Sequence, residues 1–336
     1  MHDQTTILDD IGNTPLLRLN QVTDGLDAEI YVKCEFTNPG GSIKDRMAMS
    51  MIGEAQKRGD LRPGGTIVDQ STGNTGPALS FVGNVMGYNV KLFLPAQLSS
   101  GYDASDRIRI ARLYGAQVTL IDLQDFVEEA DQLKGIERAA AFVAIRMKQC
   151  YDLQQSDPSH WWANQLGNAD NTKVHREKTG REIHQQLGGT IDGWVASVGT
   201  GGTLLGVAEA LKPHHGDMAV TGVVPTDDPR IEWVRSGAIH RALERFGVPR
   251  QRFVIEDLLE SNLMDSVVTV DNAVAKEMAN RLCAQEGLYC GMSSGANVHA
   301  AIEMAKNLGP GSRIVTVIVD RRDRYFAEAP NEHYVV

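Results

Sequence analysis

The feature that most constrains the fold is an alternation of short apolar runs with helical runs, with glycine at the turns between them. Residues 66–69, 90–95 and 118–122 read as strands, and residues 77–86 and 105–115 as the helices between them. Pro77 fits a first helical turn, Ser105 is a plausible cap, and Gly87 and Gly115 supply the stops. Such a series implies a parallel sheet with right-handed crossovers. The pattern resumes later, with a helix at 173–187, strands at 193–198 and 219–224, and helices at 204–211, 230–246, 272–286 and 296–307. A strongly apolar strand at 313–319 completes it. Residues 124–150 read as helix, and the turn-rich piece from Ser156 to Asn171 as a loop crossing between two sheets. Two doubly wound α/β lobes, packed closely without a flexible linker, are expected.

The bulk numbers narrow the function classes. A chain of 336 residues buries a full core without disulfides or metals. Its formal charge of -10, with no basic run, excludes a nucleic-acid surface. No apolar stretch reaches the roughly 18 residues of a membrane span, and the start Met1-His-Asp-Gln4 lacks the pattern of a signal peptide. A cytoplasmic location and no membrane partner are expected. Cys34, Cys150, Cys283 and Cys290 form no Cys-x-x-Cys pair and read as buried thiols. The nine histidines are scattered, and the adjacent pair His214 and His215 diverges on a helix, so no metal site is expected.

Three loop-to-helix junctions and one lysine bear chemistry. The stretch Asn38-Pro-Gly-Gly-Ser-Ile-Lys-Asp-Arg46 couples a glycine turn to Lys44 in the first turn of a helix, with Ser42 as cap. Lysine is disfavoured there by the helix dipole. It reads either as a surface lysine beside a turn or as an amine whose lowered pKa suits imine formation. Gly199-Thr-Gly-Gly-Thr203 stands between strand and helix, where backbone N–H groups converge on a phosphate or simply form a tight turn. It lacks a Walker lysine and is too short for a dinucleotide fingerprint. Ser71-Thr-Gly-Asn-Thr75 is an anion nest suited to a carboxylate, or a plain cap. Ser293 and Ser294 occupy the third junction, where capping is the default reading.

Taken together, these residues resemble the pyridoxal-phosphate enzymes of the cysteine synthase and cystathionine β-synthase family, fold type II. The 38–46 stretch is similar to the family's lysine motif, Gly12-Asn-Thr-Pro-Leu16 to its opening and Gly73-Asn-Thr-Gly76 to its asparagine loop. Residues 199–203 are similar to its phosphate loop and Gly291-Met-Ser-Ser-Gly-Ala296 to its serine motif. The motifs stand in family order over nearly the whole chain. The resemblance implies a tryptophan synthase β-like fold of two three-layer α/β domains. Residues 1–46 with 156–336 would form the larger, cofactor-binding domain, and 47–155 a smaller one that takes the substrate carboxylate.

It further implies pyridoxal 5'-phosphate as cofactor. Lys44 would form the Schiff base and remove the substrate α-proton. Asn74 would meet the cofactor's phenolic oxygen. Gly199, Thr200, Gly201, Gly202 and Thr203 would hold the phosphate, and Ser293 the pyridine nitrogen. Ser71, Thr72, Gly73, Thr75 and Gln165 would clamp the substrate carboxylate. The implied reaction is β-replacement on an activated L-serine, O-acetyl- or O-phosphoserine, with sulfide or another small nucleophile. A β-eliminating lyase of the cysteine desulfhydrase kind is the alternative, and a non-catalytic binding relative the alternative of another class. A homodimer is expected from the family.

Departures bear on the substrate. The family's Thr-Ser order is Ser71-Thr72 here, the aromatic after Gln165 is Leu166, and the family's Ile-x-Gly-Ile-Gly loop is Phe253-Val-Ile-Glu-Asp-Leu-Leu-Glu-Ser261, without glycine. The late pattern reads Val319-Asp-Arg-Arg-Asp-Arg-Tyr325, where Arg321 and Arg322 either favour a phosphorylated or second acidic substrate or are exposed arginines.

Overall fold

The computed structural model describes residues 5–95, 104–122, 133–226 and 228–328. Along the chain the strands are β1 (Leu16–Arg18), β2 (Glu29–Cys34), β3 (Thr66–Gln70), β4 (Asn89–Pro95), β5 (Gln117–Ile121), β6 (His160–Trp162), β7 (Gly193–Ser197), β8 (Ala219–Pro225), β9 (Ser266–Val270) and β10 (Arg313–Ile318). The α-helices are α1 (Lys44–Arg58), α2 (Thr75–Val85), α3 (Ser105–Leu113), α4 (Gly135–Ser156), α5 (Ala169–Val174) and α6 (Gly180–Leu187). They continue as α7 (Gly202–Leu211), α8 (Arg230–Arg235), α9 (Ala238–Arg245), α10 (Val254–Glu260), α11 (Asn272–Glu286) and α12 (Met292–Leu308). Contacts gather the chain into two compact units, one of residues 1–50, 168–228 and 253–322, the other of 51–167, 229–252 and 323–336.

The first unit carries a six-stranded sheet in the order β1-β2-β10-β7-β8-β9. All neighbours are parallel except β1, which runs antiparallel to β2. Strands β7 and β10 are buried along nearly their whole length, as parallel strands covered on both faces must be. Ile30, Val32, Val195 and Ile314 meet Met278, Leu282, Val298 and Ala301 of α11 and α12 in one core. Strand β10, the last in sequence, lies between β2 and β7. The connection after β7 runs one way to β8, and β10 lies on β7's other side, so the C-terminal ends of β7 and β10 form a topological switch point. Open α/β sheets bind ligands at such a point.

The second unit carries a four-stranded, all-parallel sheet in the order β5-β4-β3-β6, packed by α2 and α4. Here the expected crossing loop proves to contain a strand. Trp161 and Trp162 of β6 pair with Ile67 and Val68, and both tryptophans are buried. Three residues are too few to show a period, and the Asp-Pro-Ser before them reads as turn. The expected helix at 124–150 falls partly on 123–132, outside the described residues; α4 starts at Gly135 and runs on to Ser156.

The expected single helix at 230–246 is two, α8 and α9, parted at Gly237 with φ 71°. Helix α9 packs on α4, where Arg241 Nη2 meets Glu137 Oε1 at 2.6 Å. That packing, with the β6–β3 pairing, groups residues 229–252 and 156–167 with the second unit, whereas the expected division set 156–336 together with 1–46. Among the described residues no helix is long and apolar enough to cross a membrane.

Candidate active site

In the first unit, Lys44 opens α1 and is half-buried. Ser42 caps it, its Oγ accepting from Lys44 N–H at 3.3 Å and its carbonyl from Asp45 N–H at 3.2 Å. The loop before it is stitched to the chain leaving β10. Ile43 N–H donates to Val319 O at 2.9 Å, and Arg321 N–H to Gly41 O at 3.1 Å. The backbone of Gly40 lies against the Asp45 carboxylate, to which its N–H donates at 2.7 Å. A Cβ on Gly40 would stand 2.5 Å from Asp45 Oδ1, so only glycine fits there.

Beneath the lysine turn lies an ionic network that sequence reasoning missed. Arg46, 2 % exposed, reaches Glu35 through Nε at 2.7 Å and Nη2 at 2.9 Å, and Glu182 through Nη1 and Nη2 at 2.7 Å each. Lys33 adds its ammonium to Glu182 at 2.7 Å. Burial pushes the Glu182 carboxyl up, but the two cations outweigh it and hold it at about 2. Burial pulls Lys33 below its ordinary range, partly offset by Glu182. Glu35 also accepts from Thr14 Oγ1 at 2.7 Å and Asn38 Nδ2 at 2.8 Å, and Asn38 Oδ1 takes the Gly12 N–H at 2.9 Å. The Gly12-Asn-Thr opening is therefore a strap that closes onto the lysine motif from behind.

Residues 199–203 join the end of β7 to α7. An α-helix leaves its first N–H groups without partners in its own ladder, and here they open at the switch point. Gly201 has φ 94°, and a Cβ on it would stand 3.3 Å from Ile255 Cα. That neighbour belongs to α10, the segment expected to carry the substitute for a glycine loop. It is a two-turn helix, its Phe253 N–H closed by Glu256 Oε2 at 2.8 Å, with Ile255 and Leu258 against Gly201.

Two further residues brace the loop. Asn171 Nδ2 donates to Thr200 Oγ1 at 2.8 Å, and the fully buried His175 places Nε2 3.2 Å from Thr203 Oγ1 and Nδ1 3.0 Å from Thr179 Oγ1. Burial first, then the charges of Lys44 and Arg46, hold His175 neutral, well below the usual histidine range. A π-helical turn at His175–Thr179, inside the expected 173–187 helix, presents this histidine.

The serine junction divides its labour. Ser294 is fully buried and its Oγ accepts from Val319 N–H at 2.9 Å, which makes it structural. Ser293 is half-buried at the head of α12, and no hydrogen bond engages its hydroxyl among the described residues. Gly291 N–H donates to Asp320 O at 3.2 Å, so this junction too is tied to the chain after β10.

In the second unit, Ser71 Oγ accepts from Gly73 N–H at 3.2 Å and Gly76 N–H at 3.3 Å, curling the loop at the head of α2. Thr75 Oγ1 donates to Gln165 Oε1, and Gln165 Nε2 donates to Gln70 O at 2.9 Å. Asp69, 1 % exposed, accepts from Gln70 and Gln165 N–H at 2.8 and 3.1 Å and from Trp162 Nε1 at 3.3 Å. Burial pushes its carboxyl up to about 7 against those three donors. Strand β6 thus delivers Gln165 to the 71–75 loop. Asn74 Oδ1 accepts from Arg324 Nη1 at 2.9 Å, and Asn74 Nδ2 stands 3.5 Å from the Tyr325 hydroxyl.

The sequence-derived residues therefore fall into two sets, Lys44, 199–203 and Ser293 in the first unit, and 71–75 with Gln165 in the second. The chemistry fits the implied cofactor: an amine at a helix head, a glycine turn at the head of α7, and a half-buried hydroxyl at a third helix head.

Residues 7–320 match the family described as "Pyridoxal-phosphate dependent enzyme". A cysteine synthase of Staphylococcus aureus (strain Mu50 / ATCC 700699) is 35% identical over 318 residues, which cover 94% of each chain. The crystal structure of O-ureido-L-serine synthase superposes with a TM-score of 0.78 at 28% identity, over 99% of this chain and 97% of that one. An O-acetylserine dependent cystathionine β-synthase from Helicobacter pylori does so with a TM-score of 0.78 at 27% identity, over 97% and 98%. With its two α/β sheets, its lysine at a helix head and its glycine loop at the head of α7, the chain belongs to the pyridoxal-phosphate dependent enzymes of fold type II, the cysteine synthase family.

Proposed function

We propose that the protein catalyses β-replacement on an activated L-serine, O-acetyl- or O-phosphoserine, with sulfide or another small nucleophile. The observation that carries this is the joint placement of Lys44, the 199–203 loop and Ser293 around the C-terminal ends of β7 and β10 in a chain of this family. The cofactor supplies an electron sink that acidifies the substrate Cα–H and lets the β-substituent leave. Lys44 anchors it and carries the α-proton. The N–H groups of 199–203 hold the phosphate, with Asn171 and neutral His175 fixing the two threonine hydroxyls. Ser293 offers a neutral hydroxyl to the ring nitrogen, which favours loss of a β-leaving group over transamination. Asn74 donates to the phenolic oxygen, and residues 71–75 with Gln165 take the substrate carboxylate. The family likeness also supports a homodimer and a cytoplasmic location.

Purified protein is expected to be yellow, and Lys44→Ala to be colourless. O-acetyl-L-serine or O-phospho-L-serine plus sulfide is expected to yield cysteine. A colourless wild type that takes up no added cofactor refutes the enzyme reading, and pyruvate from cysteine as the dominant product refutes replacement in favour of elimination.

A further inference from the structure

Two arginines of the second unit are buried without a carboxylate. Arg146 on α4 is 5 % exposed and donates from Nε to Gln70 Oε1 at 3.3 Å. Arg324 is 3 % exposed and donates from Nη1 to Asn74 Oδ1 at 2.9 Å. Among the described residues neither guanidinium has another acceptor or an acidic partner. Arg46 in the first unit, equally buried, shows what this chain builds when it intends a closed ion pair: two carboxylates and four short bonds. A buried guanidinium with one neutral partner is costly unless an anion completes it. Arg146 remains a cation at neutral pH, since burial pulls it down only to about 10. The two bonds land on the first and fifth residues of Gln70-Ser-Thr-Gly-Asn74, so the anion nest is bracketed by uncompensated positive charge at both ends.

A substrate α-carboxylate brings one negative charge to this nest, and the two buried arginines bring two positive ones. We propose that the 70–75 loop, with Arg146 and Arg324, is a site for an amino-acid substrate bearing a second anionic group, so that a phosphorylated or otherwise acidic serine derivative is preferred to a neutral one. The inference rests on the function proposed above and names its substrate class. Arg321 and Arg322, which the sequence offered for this role, lie in the first unit, the former exposed and the latter bonded to Asn280.

The test uses the holoenzyme and the cofactor's visible absorbance. L-Aspartate and L-alanine, neither with an activated leaving group on the β-carbon, are titrated as anionic-side-chain and neutral-side-chain probes. Aspartate is expected to bind about tenfold tighter, the factor that ~1.4 kcal/mol represents. Arg146→Gln and Arg324→Gln are each expected to shrink that ratio several-fold, Arg146→Lys to keep most of it, and rising salt to lower it. The ratio of kcat/KM for O-phospho-L-serine over O-acetyl-L-serine is expected to fall in parallel. A wild-type ratio near one overturns the inference by itself, whether or not the variants fold. A folded, yellow Arg146→Gln that keeps the wild-type ratio overturns it too. A colourless wild type sinks the underlying function and this inference with it, whereas a yellow protein with no preference sinks the inference alone.

Discussion

Glu35→Ala is the substitution that most directly tests whether the ionic network holds the lysine turn. Glu35 is fully buried and receives four donors, Arg46 Nε and Nη2, Thr14 Oγ1 and Asn38 Nδ2, between 2.7 and 2.9 Å. Removing the carboxylate leaves Arg46 its contacts to Glu182 but strips the buried half of its fork. Breaking one partner from a buried ion pair costs about 3–5 kcal/mol, and each orphaned neutral donor adds roughly 1 kcal/mol or more. A loss of about 5 kcal/mol is expected, a large share of the 5–15 kcal/mol that holds a typical domain together. In a thermal scan followed by far-UV circular dichroism this corresponds to a fall in Tm of roughly 10 °C or more. Glu35→Gln, which keeps an acceptor but no charge, is expected to lose about half as much. Cofactor retention should fall in step, because Thr14 and Asn38 brace the loop that carries Lys44. A Glu35→Ala protein within about 1 kcal/mol of wild type, with its colour intact, would refute the account, since it would mean that Glu182 alone satisfies Arg46.

Three further outcomes are expected. His175 stays neutral when folded while an unfolded histidine protonates near 6.5, so stability declines as pH falls below that value; His175→Asn is expected to flatten the slope between about pH 6.5 and 5 in denaturation series. Glu182, held at about 2 against an ordinary 4.5, stabilises above pH 4.5 and loses that contribution as pH falls from 4.5 towards 2, so Glu182→Gln should make acid unfolding less steep there. Gly201→Ala forces a left-handed residue against Ile255 and is expected to cost about 1–3 kcal/mol and to weaken cofactor binding in equilibrium dialysis; unchanged affinity would show that α10 yields freely.

The sequence disclosed the parts of the site that are local. Lys44 with Ser42, the 199–203 turn and the 71–75 nest each depend on a few consecutive residues at a strand-to-helix junction, and glycine, serine and threonine mark such places. What it hid depends on distance along the chain. Arg46 and Glu182 stand 136 residues apart, and no periodicity announces their meeting. His175 reads as one more helix residue until the π turn aims it at Thr203. Strand β6 is three residues long, so pairing rather than pattern defines it. Segment 253–261 has none of the family's glycines, and nothing local shows that it forms a helix packed against the glycine at 201. Arg146 lay inside an amphipathic run where arginine ordinarily faces water, and only the contact of α4 with β3 reveals its burial.

The position of β10 has a consequence for biosynthesis. It is the last of the described strands to leave the ribosome, yet it occupies the middle of its sheet, pairing β2 on one side and β7 on the other. Until it emerges, β2 and β7 have no common partner and present open edges to other chains. The lysine loop cannot be fastened either, because Gly41, Ile43 and Gly291 all wait for residues 319–321. Translation therefore has to pass residues 319–321 before the lysine loop can be fastened, and a nascent chain stalled short of Val319 is an aggregation hazard.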